Sequence, residues 1–310
     1  MRLMQLVLSE NCPIFTHNNA RYLHRLLDAV AKGWHNIVSP APEVLRRLLN
    51  STWDVYGELL HRGLKSGVHK QAYFRPASCE GCDPDRLSAF LAQPVTLLVE
   101  NATTDGGFLQ AAAEVLRPGL SSSFSGNRSS VAVEQAGGIG AIPKELARLV
   151  SARHQSVEGL PPRFVVVCDS DRKHANDTNV HVGAVRTAAL QNRVDCHVLH
   201  KRTIENYLPQ SALEAYSRTR RQCEYAVSII VGLSDTAWDY YPMKPGLADP
   251  DRRSHEELAL FEEIEPGVGM GDFMEDFLAH FRYHLNGRDV RVRDHSGDLD
   301  ELLDVIERNI

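Results

Sequence analysis

Phe164-Val165-Val166-Val167-Cys168-Asp169-Ser170-Asp171 is a five-residue apolar run that stops abruptly at two aspartates. A short, β-branched run bounded by charge reads as a strand buried on both faces. The pattern recurs on either side of it. Val95-Thr96-Leu97-Leu98-Val99 ends in Glu100-Asn101, and Cys196-His197-Val198-Leu199-His200 runs into Lys201-Arg202-Thr203-Ile204-Glu205-Asn206-Tyr207. A fourth strand at 131–135 leads to Gly137-Gly138-Ile139-Gly140, and helical segments near 107–117, 142–153 and 180–191 fall between the strands. Such alternation predicts an α/β fold, a central parallel sheet flanked by helices. Ligands of open α/β sheets sit outside the carboxyl ends of the strands. Glu100, Asp169 and Asp171 fall there.

Outward from this centre the texture changes. Residues 1–92 read as a helical N-terminal region: Leu23, Leu26, Leu27 and Val30, then Val44, Leu45, Leu48 and Leu49, recur at helical spacing. The α/β unit spans 93–210. Residues 211–310 read as mainly helical, with an irregular stretch rich in Pro, Gly and acids at 234–272 and a closing amphipathic helix from Leu299 to Ile310.

Composition narrows the class. The chain has 310 residues, 43% hydrophobic and 24% charged, as a globular protein has. No run approaches the ~20 apolar residues that span a bilayer, and the N-terminal apolar run is too short for a signal-peptide core. The six cysteines form no disulfide framework. A cytoplasmic protein without membrane attachment is expected. The 40 acidic residues outnumber 34 basic ones, a net charge of −6. That balance argues against a large constitutive nucleic-acid surface but leaves room for a local basic groove. No P-loop is present, so an ATPase acting with this chain would be a separate protein.

Mg²⁺ takes oxygen ligands, and two or three carboxylates held by rigid strands suit it. One or two such ions can activate water for phosphodiester cleavage. Asp-Ser-Asp alone is more often an ordinary turn; the combination with Glu100 after a separate strand is what points to a metal. Other signals are weaker. Cys79-Glu80-Gly81-Cys82 has the spacing of half a zinc site, though two separate cysteines are the commoner outcome. His174 and His181 could approach a phosphate, or could be solvated loop histidines. Trp238, Tyr240, Tyr241 and Lys244 could stack on a base and touch phosphate, or pack under a loop.

The order of Leu-Val-Glu100, a Gly-Gly-x-Gly turn, Asp169-x-Asp171 and Arg202-Thr203-Ile204-Glu205-Asn206-Tyr207-Leu208 resembles the TOPRIM (topoisomerase–primase) domain. It is most similar to the nuclease branch, the overcoming-lysogenisation-defect family and small antiphage effectors. The resemblance covers roughly residues 94–210, and Ile-Glu-Asn-Tyr is its most specific part. It implies a TOPRIM-like four-stranded parallel sheet, with the terminal helical regions as additions. It implies a Mg²⁺ or Mn²⁺ site with Glu100, Asp169, Asp171 and Glu205 as metal ligands and catalytic acids. Lys201 would join the catalytic set. Gly137, Gly138, Gly140 and Arg202 would contact substrate. The implied activity is cleavage of DNA or RNA as a defence effector governed by a partner ATPase, with a homo-oligomeric state open. The family usually has glycine after the glutamate and an aspartate four residues on; Asn101 and Asp105 stand there instead, the aspartate five residues on. That departure leaves a second reading, an inactive module that docks on an ATPase or on nucleic acid.

Overall fold

The computed structural model of the chain describes residues 93–125, 129–153 and 162–310, with short pieces before residue 93. Those pieces include β1 (Met4–Val7) and β2 (His35–Val38), which pair in parallel. The helical reading of the N-terminal region did not anticipate these strands. Most of that region, with the Cys79–Cys82 pair, lies outside the described residues.

The central sheet has four strands, β3 (Val95–Val99), β4 (Val131–Gln135), β5 (Phe164–Cys168) and β6 (Asp195–Val198), all parallel in the order β4-β3-β5-β6. Chain order therefore runs outward in both directions from the β3–β5 pair. The gap between these strands is the topological switch point, where open α/β sheets bind ligands. Glu100 follows β3 and Asp169 follows β5, so the two acids flank it.

Alternation along the strands assigns the two faces. Val95, Leu97, Val99, Val165 and Val167 pack in one core with helix α1 (Gly107–Leu116). Leu98, Phe164, Val166 and Cys168 pack on the other face against α2 (Ile142–Arg153) and α3 (Val180–Gln191). Burial on both faces explains why β3 and β5 are wholly buried.

The C-terminal hundred residues are mainly helical and join the first core. They comprise α4 (Gln210–Thr219), α5 (Glu224–Val231), α6 (Asp235–Tyr240), α7 (His255–Phe261), α8 (Met274–His280), α9 (Gly287–Arg293) and α10 (Asp298–Asn309). Leu299, Leu302 and Ile306 of α10 belong to the same cluster as Leu97 and Val165. Among the described residues no helix is long and apolar enough to cross a membrane.

Candidate metal centre

Each acid is placed by a different local device. Glu100 is one residue past β3, and its Oε1 accepts the Asp169 backbone N–H at 3.1 Å. Asp169 in turn accepts the Ile204 N–H on Oδ1 at 3.1 Å. The two central strands and the turn after β6 are thus joined through the acids themselves. Ser170 Oγ donates to the Lys201 carbonyl at 2.6 Å, and the Asp171 N–H donates to the Arg202 carbonyl at 2.9 Å. Asp171 is held at φ 51°, a left-handed conformation that costs a non-glycine residue on the order of 1 kcal/mol or more.

The Ile-Glu-Asn-Tyr turn, a single 3₁₀ turn over Ile204–Tyr207, divides its labour by residue. Ile204 is core and gives its N–H to Asp169. Asn206 accepts from Thr203 N and Oγ1 at 3.0 and 2.8 Å and donates to the Trp238 and Tyr241 carbonyls at 2.6 and 2.9 Å. Tyr207 donates its hydroxyl to Asp298 and accepts the Lys201 N–H at 3.1 Å. Three residues are consumed in fixing the turn. The fourth, Glu205, is left for the site: it is 1% exposed, and its Oε2 has no hydrogen-bond partner.

Asp105 joins this group despite its displaced position. The chain after Asn101 winds as a π-turn over Ala102–Gly106, capped by Asn101 Oδ1 on the Thr103 and Thr104 N–H groups. A π-turn closes i to i+5 where an α-turn closes i to i+4. Asp105 is buried, takes the Asn101 N–H at 2.8 Å and the Thr104 hydroxyl at 2.9 Å, and is electrostatically coupled to Glu100, Asp169 and Glu205.

The electrostatics follow from crowding. Burial, with Asp171 and Asp105 adding repulsion, raises Glu100 to about 7. Burial and then the charges of Glu205, Glu100 and Asp105 push Asp169 well above the carboxylate range. Asp105 is raised by burial and by Glu205. Asp171 is raised by burial, against the pull of Arg202, His181 and Lys244.

One cation answers these charges directly. Lys244 Nζ lies 2.8 Å from Glu205 Oε1, an ion pair by distance although not directed as a hydrogen bond. Burial works against its charge, but Glu205, Asp169 and Asp105 outweigh it and raise the ammonium's pKa. Lys244 belongs to an irregular loop locked against a second one. Met270 N–H donates to the Met243 carbonyl at 2.7 Å and Gly271 N–H to that of Lys244 at 3.0 Å. A Cβ on Gly269 would stand 2.3 Å from the Lys244 carbonyl, so only glycine permits the approach.

The other expected site residues are placed as follows. Gly137 and Gly138 adopt φ 88° and 113° beside Glu100, whose carbonyl takes the Gly137 N–H at 3.0 Å. Gly140 faces the His181 ring. Arg202 is close enough to Asp171 to pull on its charge and donates to the Tyr240 carbonyl at 3.2 Å. Lys201 is 2% exposed, pairs with Asp239 beside Arg293, and lies over the Tyr207 ring. That arrangement ties Lys201 to α6 and α9 rather than to the acids.

Among the described residues the one triad whose ligand atoms lie within 4.8 Å of one another is His200, Asp298 and Glu301. Asp298 there already accepts from His197 Nε2 at 2.8 Å, the His200 N–H at 2.8 Å and Tyr207. It is a structural knot between α10 and β6. At the sheet edge no three of the acids bring ligand atoms within 4.8 Å of one another, but the donors are all oxygens, the kind a hard divalent cation takes. Glu205 Oε2 is the group that most needs one, since a buried, unpaired carboxylate oxygen is costly. No protein-family model, curated protein or solved structure matches the chain.

Proposed function

We propose that the protein is a divalent-metal-dependent nuclease that hydrolyses phosphodiester bonds of DNA or RNA. The observation that carries this reading is Glu205, almost wholly buried with an unpartnered oxygen and near enough to Asp105, Asp169 and Asp171 to raise their pKa values. Glu100, Asp169, Asp171 and Glu205 would hold Mg²⁺ or Mn²⁺, with Asp105 beside them. When bound, such an ion supplies Lewis acidity and a more acidic water.

The chain's own residues do the rest. Without a cation, burial and the neighbouring acids hold Glu100 at about 7, so a divalent ion would compete with a proton there. Lys244 is 40% exposed and brings a positive charge to the rim for a phosphate oxygen. The backbone at Gly137 and Gly138 carries no side chain that would obstruct a strand. The same reading makes the protein an antiphage effector governed by a separate ATPase, a role supported by the resemblance of its acidic motifs alone.

The test is cleavage of plasmid, single-stranded DNA and structured RNA by the purified chain in Mg²⁺, Mn²⁺ or EDTA. Metal-dependent cutting that Asp169→Ala abolishes is expected. Cutting that survives in Asp169→Ala would overturn the assignment. Binding of nucleic acid with no cutting in either metal would favour the inactive module instead.

A further inference from the structure

The loop that carries Asp171 has a second neighbour. Residues 171–180 face residues 251–257 across a cleft of about 620 Å³, and Asp171 is part of its wall. That volume falls among those of small-ligand sites. Both walls are set by internal bonds. Asp177 accepts the Lys173 and Thr178 N–H groups at 2.9 and 2.8 Å. Arg253 is buried and donates to the carbonyls of Ala248, Phe261 and Ile264 at 2.7, 3.0 and 3.2 Å.

These bonds occupy Asp177 and Arg253 and leave other groups for a ligand. Arg252 is exposed, and its guanidinium makes no ion pair or hydrogen bond with any described residue. Lys173 is half-exposed, 3.5 Å from Glu257. Asn179 caps α3 by accepting the His181 N–H on Oδ1 at 2.9 Å, and its amide nitrogen, 3.5 Å from Asp171 Oδ2, keeps a second N–H for a ligand; Asp251 adds an exposed carboxylate. A polyanion alone would be a poor fit, because acids alternate with bases around the cleft. A ligand with one anionic end and one face of hydrogen-bond donors and acceptors fits both.

We propose that this cleft is a subsite for one unpaired nucleotide of the substrate strand, next to the bond addressed at the metal centre. Arg252 and Lys173 meet its phosphate; the remaining N–H of the Asn179 amide and the Asp251 carboxylate meet its base edge. Phosphate contacts position a strand and edge contacts read it. Unpaired segments are where base edges are free. The position of the subsite rests on the nuclease reading, whereas its binding can be measured without cleavage.

The experiment is fluorescence anisotropy of a short fluorescein-labelled oligonucleotide titrated with the full chain in EDTA. It is run as single-stranded DNA, single-stranded RNA and duplex, on wild type, Arg252→Glu and Arg252→Lys. The expected result is single-strand binding weakened about tenfold or more in Arg252→Glu and largely restored in Arg252→Lys, with unchanged thermal melts. The DNA and RNA arms tell which sugar the subsite accepts. Equal affinity in Arg252→Glu, preference for the duplex, or no binding by wild type would overturn it. Arg252-dependent binding with no cutting in Mg²⁺ or Mn²⁺ would keep the subsite and sink the nuclease assignment. Cutting with binding indifferent to Arg252 would do the reverse.

Discussion

Glu100 makes the cost of the acidic centre measurable. Its folded pKa of about 7 stands above its ordinary 4.5, so the folded chain keeps a proton that the unfolded chain has lost. Stability from this group is therefore highest at low pH and falls as pH rises from about 4.5 to 7. The loss is up to about 3 kcal/mol. Urea denaturation in EDTA at pH 5 and pH 8 is expected to show it, and Glu100→Gln to lessen the slope, the other raised acids Asp105, Asp169 and Asp171 keeping part of it. An equal slope in the variant would place the repulsion elsewhere. The acids Glu100, Asp169, Asp171 and Glu205 were legible in sequence because each follows an apolar strand or the turn after one. In sequence Lys244 stands only at the end of an aromatic stretch, since it reaches the site through an irregular loop nearly forty residues beyond Glu205. The signal that could have found it is the glycine content of the two loops, Gly246 and Gly269, which lets them interlock.

At the scale of elements, the π-turn is the device that completes the acidic set. It rests on β4 through Gly106, where an added Cβ would come within 2.7 Å of Val133 Cγ1. Valine in a strand cannot easily turn aside. Gly106→Ala is expected to cost about 1–3 kcal/mol and to lower cleavage by moving Asp105. A variant of unchanged melting temperature and activity would show that the turn tolerates displacement. No periodicity in Ala102-Thr103-Thr104-Asp105-Gly106 announces a π-turn, so the sequence does not show that Asp105 reaches the other acids. Lys201 illustrates the opposite difficulty. Its place just after a strand pointed toward the acids, but Asp239, far along the chain, draws the ammonium away.

Across the whole molecule, the sheet and the C-terminal helices share one core, and Asp298 is one of the places where polar contacts tie them. Burial raises its pKa, but the bonds from His197, the His200 N–H and Tyr207 outweigh that and hold the carboxyl below its ordinary 3.8. A carboxyl depressed on folding contributes stability above its unfolded pKa, and that contribution is lost as pH falls through the folded value. An acid limb below about pH 4 is expected. Asp298→Ala is expected to cost about 3–5 kcal/mol at neutral pH, because it strands buried partners, and to remove that limb. A loss under 1 kcal/mol would mean that water replaces the carboxylate. The sheet and its helices were readable because burial on both faces leaves continuous apolar runs. The tie between residues 207 and 298 was not, because sequence carries no mark of which distant carboxylate will meet a tyrosine.

That tie also sets an order of assembly during synthesis. The Glu205 turn is anchored through Tyr207 to Asp298, a residue made 91 positions later. At typical rates of elongation the ribosome takes about 5–20 s to cover that distance. Throughout that interval the nascent chain already carries every carboxylate of the centre but not the anchor that fixes its last one. Completion of the acidic centre is thus timed by the arrival of α10.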